Sequence, residues 1–263
     1  AIVTICAVLF AVYGMLLLIT QYLQNVRGYT PQATGLMLLP FSLSLTIVSP
    51  LVGRLVGRIG ARPPILGGLL LQMAGLAVLL AGAGGHPAVV IAGLGIAGAG
   101  GALCLTPITT LAMTSVPPAR AGMASGIMSA QRAIGSTLGF AVLGSVLAAW
   151  LSATLAPDLA TAVPDAAERR AVAAAIVGSA NPRAHVAEIG PRQRIGHADS
   201  ATAARIVAVA DRDFVQGIRA GLAVAIGVLA LVFVAALRWF PRGGGALMSD
   251  AEREAAMLAP TDG

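Results

Sequence analysis

Ser125, Ser129, Arg132 and Ser136 recur at helical spacing inside an otherwise apolar run, and together they form one polar stripe. Arg132 carries the most chemistry. It lies twelve residues past Arg120, about 18 Å along a helix of 1.5 Å rise, which is well into a hydrocarbon core of roughly 30 Å. A guanidinium at that depth is by default a functional group, and it needs a counter-charge or a set of acceptors. Residues 1–150 contain no Asp or Glu. Its partners are therefore Gln131, backbone carbonyls, water, an anionic substrate, or an acid on a segment outside this sequence. The alternative is a structural arginine bonded to carbonyls.

Other apolar runs carry weaker stripes of the same kind. Tyr13, Thr20 and Gln24 fall within about 40° of one another at 100° per residue. Ser42, Thr46 and Ser49 share a face, as do Thr106, Thr110 and Met113, with Pro107 beside them to loosen the backbone. The third run offers only Gln72, and residues 221–237 offer nothing polar. Polar stripes on runs one, two, four and five, with runs three and six apolar, predict a water-accessible cavity lined by four helices. The competing explanation is that each hydroxyl bonds its own backbone or glues two helices together.

Several other chemistries are excluded. The serines have no nearby His or acid to complete a hydrolase triad, so no enzyme activity is expected. Gly93-Leu-Gly-Ile-Ala-Gly98 matches a dinucleotide fingerprint. That fingerprint needs a preceding strand and an acid about 20 residues on, whereas the first acid here is Asp158. Close helix packing through small residues explains it better. His185 and His197 lack the spacing and company of metal ligands, and no metal or cofactor is expected. Cys6 and Cys104 fall in apolar runs as small packing residues.

The elements that must position these residues are membrane helices. Mean hydropathy is +0.85, and 11% of residues are charged against about 25% in a soluble domain. Six apolar segments can be drawn, at 1–23, 32–53, 64–84, 88–112, 122–150 and 214–240, each approaching the ~20 residues a bilayer demands. The charge of +6 does not indicate nucleic acid, because most arginines of residues 1–150 sit at span ends. All 17 basic residues are Arg, which with so much Ala and Gly suits a GC-rich bacterial genome. The decapeptide Gly53-Arg-Leu-Val-Gly-Arg-Ile-Gly-Ala-Arg62 places three arginines between two spans, so the positive-inside bias makes that loop cytoplasmic. Every other loop then follows one alternation. Spans one to five occupy 1–150, an extracytoplasmic loop 151–213, span six 214–240 and a cytoplasmic tail 241–263. In the loop, seven acids balance seven arginines. Asp165 and Glu168 read as a helix start there, 200–211 as a second short helix, and Ser249 with Glu252 as a helix start in the tail. The chain opens inside a span without a charged leader, and it reads as a piece of something longer.

Gly53, Arg58, Gly60 and Arg62 resemble the loop between the second and third helices of the major facilitator superfamily, roughly G-x-x-x-D-R-x-G-x-R, with Gly57 at the Asp position and Arg54 beside it. Tyr22-Leu-Gln-x-Val-x-Gly-Tyr-Thr-Pro31, Val116-Pro117 leading to Gly122-x-Ala-Ser-Gly126, and Arg132-x-x-Gly135-x-x-x-Gly139 are similar to the C-terminal half of its fourteen-span drug:proton antiporters. The resemblance covers about 1–240. It implies an all-α, six-helix half of a transporter, built as a 3+3 repeat and rocking around a midplane cavity. It implies that the missing N-terminal half carries the proton-binding carboxylates.

The expected function is proton-coupled efflux of drug-like or amphipathic compounds across a bacterial cytoplasmic membrane. The expected cavity residues are Tyr13, Thr20, Gln24, Ser42, Thr106, Thr110, Ser129, Gln131, Arg132 and Ser136. Gly53, Arg54, Gly57, Arg58, Gly60 and Arg62 form the expected gating loop. The alternatives are export of an endogenous metabolite or lipid by the same fold, and a non-transporting six-span accessory protein. The expected partners are the bilayer, the missing half, a small-molecule substrate and protons.

Overall fold

Backbone groups in hydrocarbon must bond within their own segment, so each long apolar run closes into a helix. The computed structural model describes residues 2–114, 117, 121–161, 166, 169–170 and 200–239. Among these described residues are six helices long and apolar enough to cross a membrane. They are α1 (Ile2–Gln21), α2 (Pro31–Ile59), α3 (Arg62–Gly82), α4 (Pro87–Thr114), α5 (Ala121–Asp158) and α6 (Ser200–Trp239). A π-helical turn, Tyr22–Val26, extends α1.

Local sequence sets the ends. Thr30 caps α2, its Oγ1 accepting the Ala33 N–H at 3.3 Å, and Pro31 takes the first helical position, where a missing N–H is harmless. Gly60 stops α2 with φ of +80°, a conformation only glycine adopts cheaply, and Arg62-Pro-Pro opens α3 immediately afterwards. The 53–62 stretch is therefore not the loop that its arginines and glycines suggested. Gly53, Arg54, Gly57 and Arg58 lie within the last two turns of α2, and only Gly60 and Ala61 fall between the helices. Pro40 and Pro50 inside α2 each remove one ladder N–H without ending the helix, and no further proline stands between Pro50 and Gly60, so the helix continues past its apolar portion.

The last two helices also outrun their apolar segments. α5 reaches Asp158 where the hydropathy pattern suggested 150, and Pro157 falls only in its final turn. The short helix expected at 200–211 is fused with span six into one helix of 40 residues, because no Gly or Pro separates Ser200 from Phe214. At 1.5 Å per residue these two helices run to nearly 60 Å, about twice a hydrocarbon core of roughly 30 Å. Each is therefore longer than a single crossing of that core needs. Asp165, Glu168, His185, His197, Ser249 and Glu252, with the expectations attached to them, lie outside the described residues.

The helices form three layers. α1 packs on α5 and α6, which also pack directly on each other, α4 packs on α2 and α3, and the two trios meet where α1 touches α4 and α3 touches α6. α3 and α6 thus make one outer layer, α1 and α4 the centre, and α2 and α5 the other side. α1 is the most buried of the six and α2 the least. Small residues allow the close crossings. A Cβ on Gly98 would stand 2.4 Å from the Phe41 carbonyl oxygen, and one on Gly93 2.7 Å from the Leu79 side chain, so the 93–98 glycines are packing residues. Gln72, the polar residue of α3, is buried against α1, where its Nε2 donates to the Val8 carbonyl at 3.4 Å.

Candidate functional site

α2 and α5 make no extended contact with each other, so the layer they form is open and α1 and α4 floor it. The apolar, well-packed sides of all four helices are used up in the two trios. On α5 the buried positions are Ala124, Met128, Gly135, Gly139, Leu143, Leu147, Leu151 and Leu155, a stripe that leaves the opposite face free. The polar stripe lies off that seam, with Ser129 and Arg132 exposed and Gln131 and Ser136 half-buried. Across the cleft Ser42 and Thr46 are exposed on α2, as is Thr110 on α4, with Thr106 half-buried beside it. On α1, Tyr13 is 37% exposed, and Thr20 is half-buried. None of the ten expected cavity residues is buried in the core.

Tyr13 makes the clearest contact within the cleft. Its ring lies 5.7 Å from that of Phe140 on α5 at an interplanar angle of 58°, an arrangement favoured by the ring quadrupoles. Phe140 escaped a reading based on polarity alone. Its spacing gives it away afterwards: Arg132, Ser136 and Phe140 follow one another at four-residue intervals, so the aromatic ring continues the stripe.

Many hydroxyls satisfy their donors locally. Thr46 Oγ1 donates to the Ser42 carbonyl at 2.8 Å, Thr110 Oγ1 to that of Thr106 at 3.0 Å, and Ser136 Oγ to that of Ala133 at 3.0 Å. Such back-bonding uses the hydroxyl proton and leaves the oxygen lone pairs as acceptors. Gln131, next to Arg132, is level with Cys6 in the first turns of α1, where the Cys6 Sγ donates to its carbonyl at 3.7 Å, so Arg132 and the Thr20–Gln24 pair lie toward opposite ends of α1.

The Thr20–Gln24 end has a network the sequence did not reveal. The Tyr22 hydroxyl accepts from Arg27 Nε at 2.8 Å and from the Gly84 N–H at 3.0 Å, tying the turn after α1 to the turn between α3 and α4. Arg219 of α6 donates to the Ala83 carbonyl of the same turn at 2.8 Å. At the opposite end, Arg62 Nη2 reaches the Leu237 carbonyl at 3.4 Å, placing a cation on the C-terminal turn of α6. Arg54 and Arg58 are exposed there. Of the expected gating residues, the structure ties Arg62 alone to another helix.

The family model of the Major Facilitator Superfamily matches residues 1–163. The chain is 65% identical over 242 residues to the multidrug resistance protein Stp of Mycobacterium tuberculosis, an alignment covering 92% of this chain and 44% of that protein. It is 42% identical over 230 residues to the drug efflux pump JefA of the same organism, covering 88% and 45%. A tetracenomycin C resistance and export protein of Streptomyces glaucescens is 33% identical over 181 residues, covering 62% and 33%. The chain thus spans a little under half the length of the two mycobacterial relatives.

Proposed function

The chain belongs to the major facilitator superfamily, and from that premise we propose that it is one half of a secondary transporter that exports drug-like or amphipathic compounds. Its six membrane-crossing helices make it a multi-pass membrane protein. In this reading the open layer between α2 and α5 faces the other half of the transporter, and the two halves rock about a shared cavity. The observation that carries the reading is the polar cleft itself, with Ser42, Thr46, Thr110, Ser129 and Arg132 exposed on a face that the trios leave unpacked. The names of the relatives, multidrug resistance and drug efflux, support the choice of cargo.

The same reading places the protein in the bacterial cytoplasmic membrane with the C-terminus inside. Arg54, Arg58, Arg62 and Arg238 gather at one end of the bundle, as the positive-inside bias requires of a cytoplasmic face. The end carrying the 27–30 and 83–86 turns is then extracytoplasmic. Tyr13 with Phe140 would offer an aromatic surface to cargo, and Arg132 a charge for an anionic group or for an acid of the other half. Export against proton entry is the reaction, and no bond is made or broken in the cargo. Gly57 replaces the acid of the family's loop pattern, so the hold on this end falls to Arg62 at the α6 terminus.

Dye efflux from cells expressing the full-length transporter tests the assignment. Arg132→Ala should abolish efflux while the amount of protein in the membrane is unchanged. Efflux at the wild-type rate by that variant removes Arg132 from the transport cycle and with it the functional reading of the cleft.

A further inference from the structure

Asp158 is the first acid in the chain, and it closes α5. Across from it on α6 sits Asp213, 0% exposed, with neither carboxylate oxygen bonded to a donor. Asp158 is near enough for its charge and a side-chain hydrogen bond to act on Asp213. Asp213 stands six residues before Arg219, which reaches the α3–α4 turn, and the stretch from Arg219 to Arg238 alone runs about 30 Å, a full hydrocarbon core, so the pair stands beyond that core. A buried carboxylate without a donor is costly, and a second negative charge beside it raises the cost. Two carboxylates can only accept. A single proton answers both problems, since it neutralises one acid and makes it a donor to the other.

We propose that Asp158 and Asp213 form a proton-binding site that clasps the end of α5 to α6. The step is a simple protonation: a carboxylate of the pair takes up one proton from water, and the resulting O–H donates to its partner. No other bond changes. The surrounding charges leave room for this. Arg212 is the cation that acts on Asp213, and it pulls the other way. Arg27, from the α1 side, is held by Tyr22, and Arg219 by the Ala83 carbonyl. Neither the described end of α3 nor the 159–161 turn carries an ionisable side chain. Asp211 faces a separate open pocket, with Val26, Gly84 and Arg219.

The Asp213 carboxyl is pushed up from 3.8 to about 6, first by burial, then by the charge of Asp158 and the hydrogen bond with it, and against Arg212. Because the folded value lies above the ordinary one, the clasp is present at acid pH and is lost as pH rises through about 6. The end of the bundle at the 27–30 and 83–86 turns would then tighten in acid and loosen toward neutrality, whatever the cargo. The inference rests on the two acids alone and does not depend on which compound is exported.

The test is an infrared pH titration of the full-length transporter in lipid nanodiscs, read at the protonated-carboxyl band. Wild type minus Asp213→Asn should show one carboxyl with a midpoint near 6. In Asp158→Asn that midpoint should move toward the ordinary carboxylate value, because the like charge and the bond are gone while burial remains. Asp158 is exposed, so this second variant tests the pair even where Asp213→Asn folds poorly. A difference spectrum without the band, or an unmoved midpoint in Asp158→Asn, overturns the proposal. So does loss of the band on adding magnesium at fixed pH, which would make the ligand a cation.

Discussion

Gly139→Ala is the sharpest test of how α5 is held. The Cβ it adds would stand 2.5 Å from the Phe10 carbonyl oxygen and 3.1 Å from both Phe10 Cα and C. Carbon–oxygen contacts of this kind settle near 3.3 Å, so the helices must part by about 0.8 Å. The obstacle is backbone on a buried helix and cannot rotate aside. A gap of that size already forfeits about a quarter to a half of each dispersion contact along the seam. Overpacking of this sort costs about 1–3 kcal/mol, and a rigid obstacle puts Gly139→Ala in the upper half, roughly 30- to 140-fold in the folded-to-unfolded ratio.

Two glycines on the same helix supply the controls. At Gly135 the nearest atom, the Cys6 carbonyl oxygen, is 2.9 Å from the added carbon, so the shift halves to about 0.4 Å and the cost falls toward 1 kcal/mol. At Gly126 nothing lies within 4 Å, and alanine gains up to about 1 kcal/mol of helix propensity. Unfolding of the purified full-length variants in detergent should therefore rank Gly126→Ala above wild type or equal to it, then Gly135→Ala, then Gly139→Ala. A Gly139→Ala protein as stable as Gly126→Ala refutes the close α1–α5 crossing.

Gly98→Ala should cost as much as Gly139→Ala in the same assay, since its Cβ would stand 2.4 Å from the Phe41 carbonyl oxygen. Tyr22→Phe removes the acceptor shared by Arg27 and the Gly84 N–H and should cost about 1–3 kcal/mol; amide exchange in the 83–86 turn should quicken, and unchanged exchange there refutes the tie. Gln72→Met should be nearly neutral, because it removes one long bond to Val8 together with a buried Oε1 that has no partner. A folded Gln72→Met protein without efflux would instead make Gln72 part of the transport machinery.

Helix number and class were legible because hydrocarbon forbids unbonded backbone, and apolar runs of this length leave a single solution. Helix ends were not, because hydropathy reports where a helix is dry and not where it stops. Gly53 to Ile59 and Ser200 to Asp213 carry charges that weaken the apolar signal, yet neither stretch holds a residue that ends a helix. Gly60, with its positive φ, was the true stop between α2 and α3. The polar stripe of α5 was legible, since Ser129 and Arg132 are conspicuous against Leu and Ala, and both are exposed in the structure. Phe140 was hidden because an aromatic ring in a membrane helix looks like any lipid-facing residue until Tyr13 is seen beside it. Asp213 was hidden for a different reason: its partner is 55 positions away, and a charged trio such as 211–213 reads locally as a solvated face.

What repeats between the two trios is a crossing geometry and not a sequence. In a 3+3 repeat α1 corresponds to α4 and α2 to α5, so the α1–α5 crossing has its counterpart in that of α4 with α2. Both crossings set a phenylalanine carbonyl against a glycine, at near-identical approach. The roles are exchanged, however: the central helix supplies Phe10 in the first, whereas the central helix supplies Gly98 in the second. Close approach needs one missing Cβ per crossing, and either helix can provide it. The result is that α2 and α5 are each locked to the centre at a separation no larger side chain permits, while no extended contact joins them to each other. Motion that preserves these two crossings carries α5 with α1 and α2 with α4, so the exposed faces of α2 and α5 move with the centre and not against it.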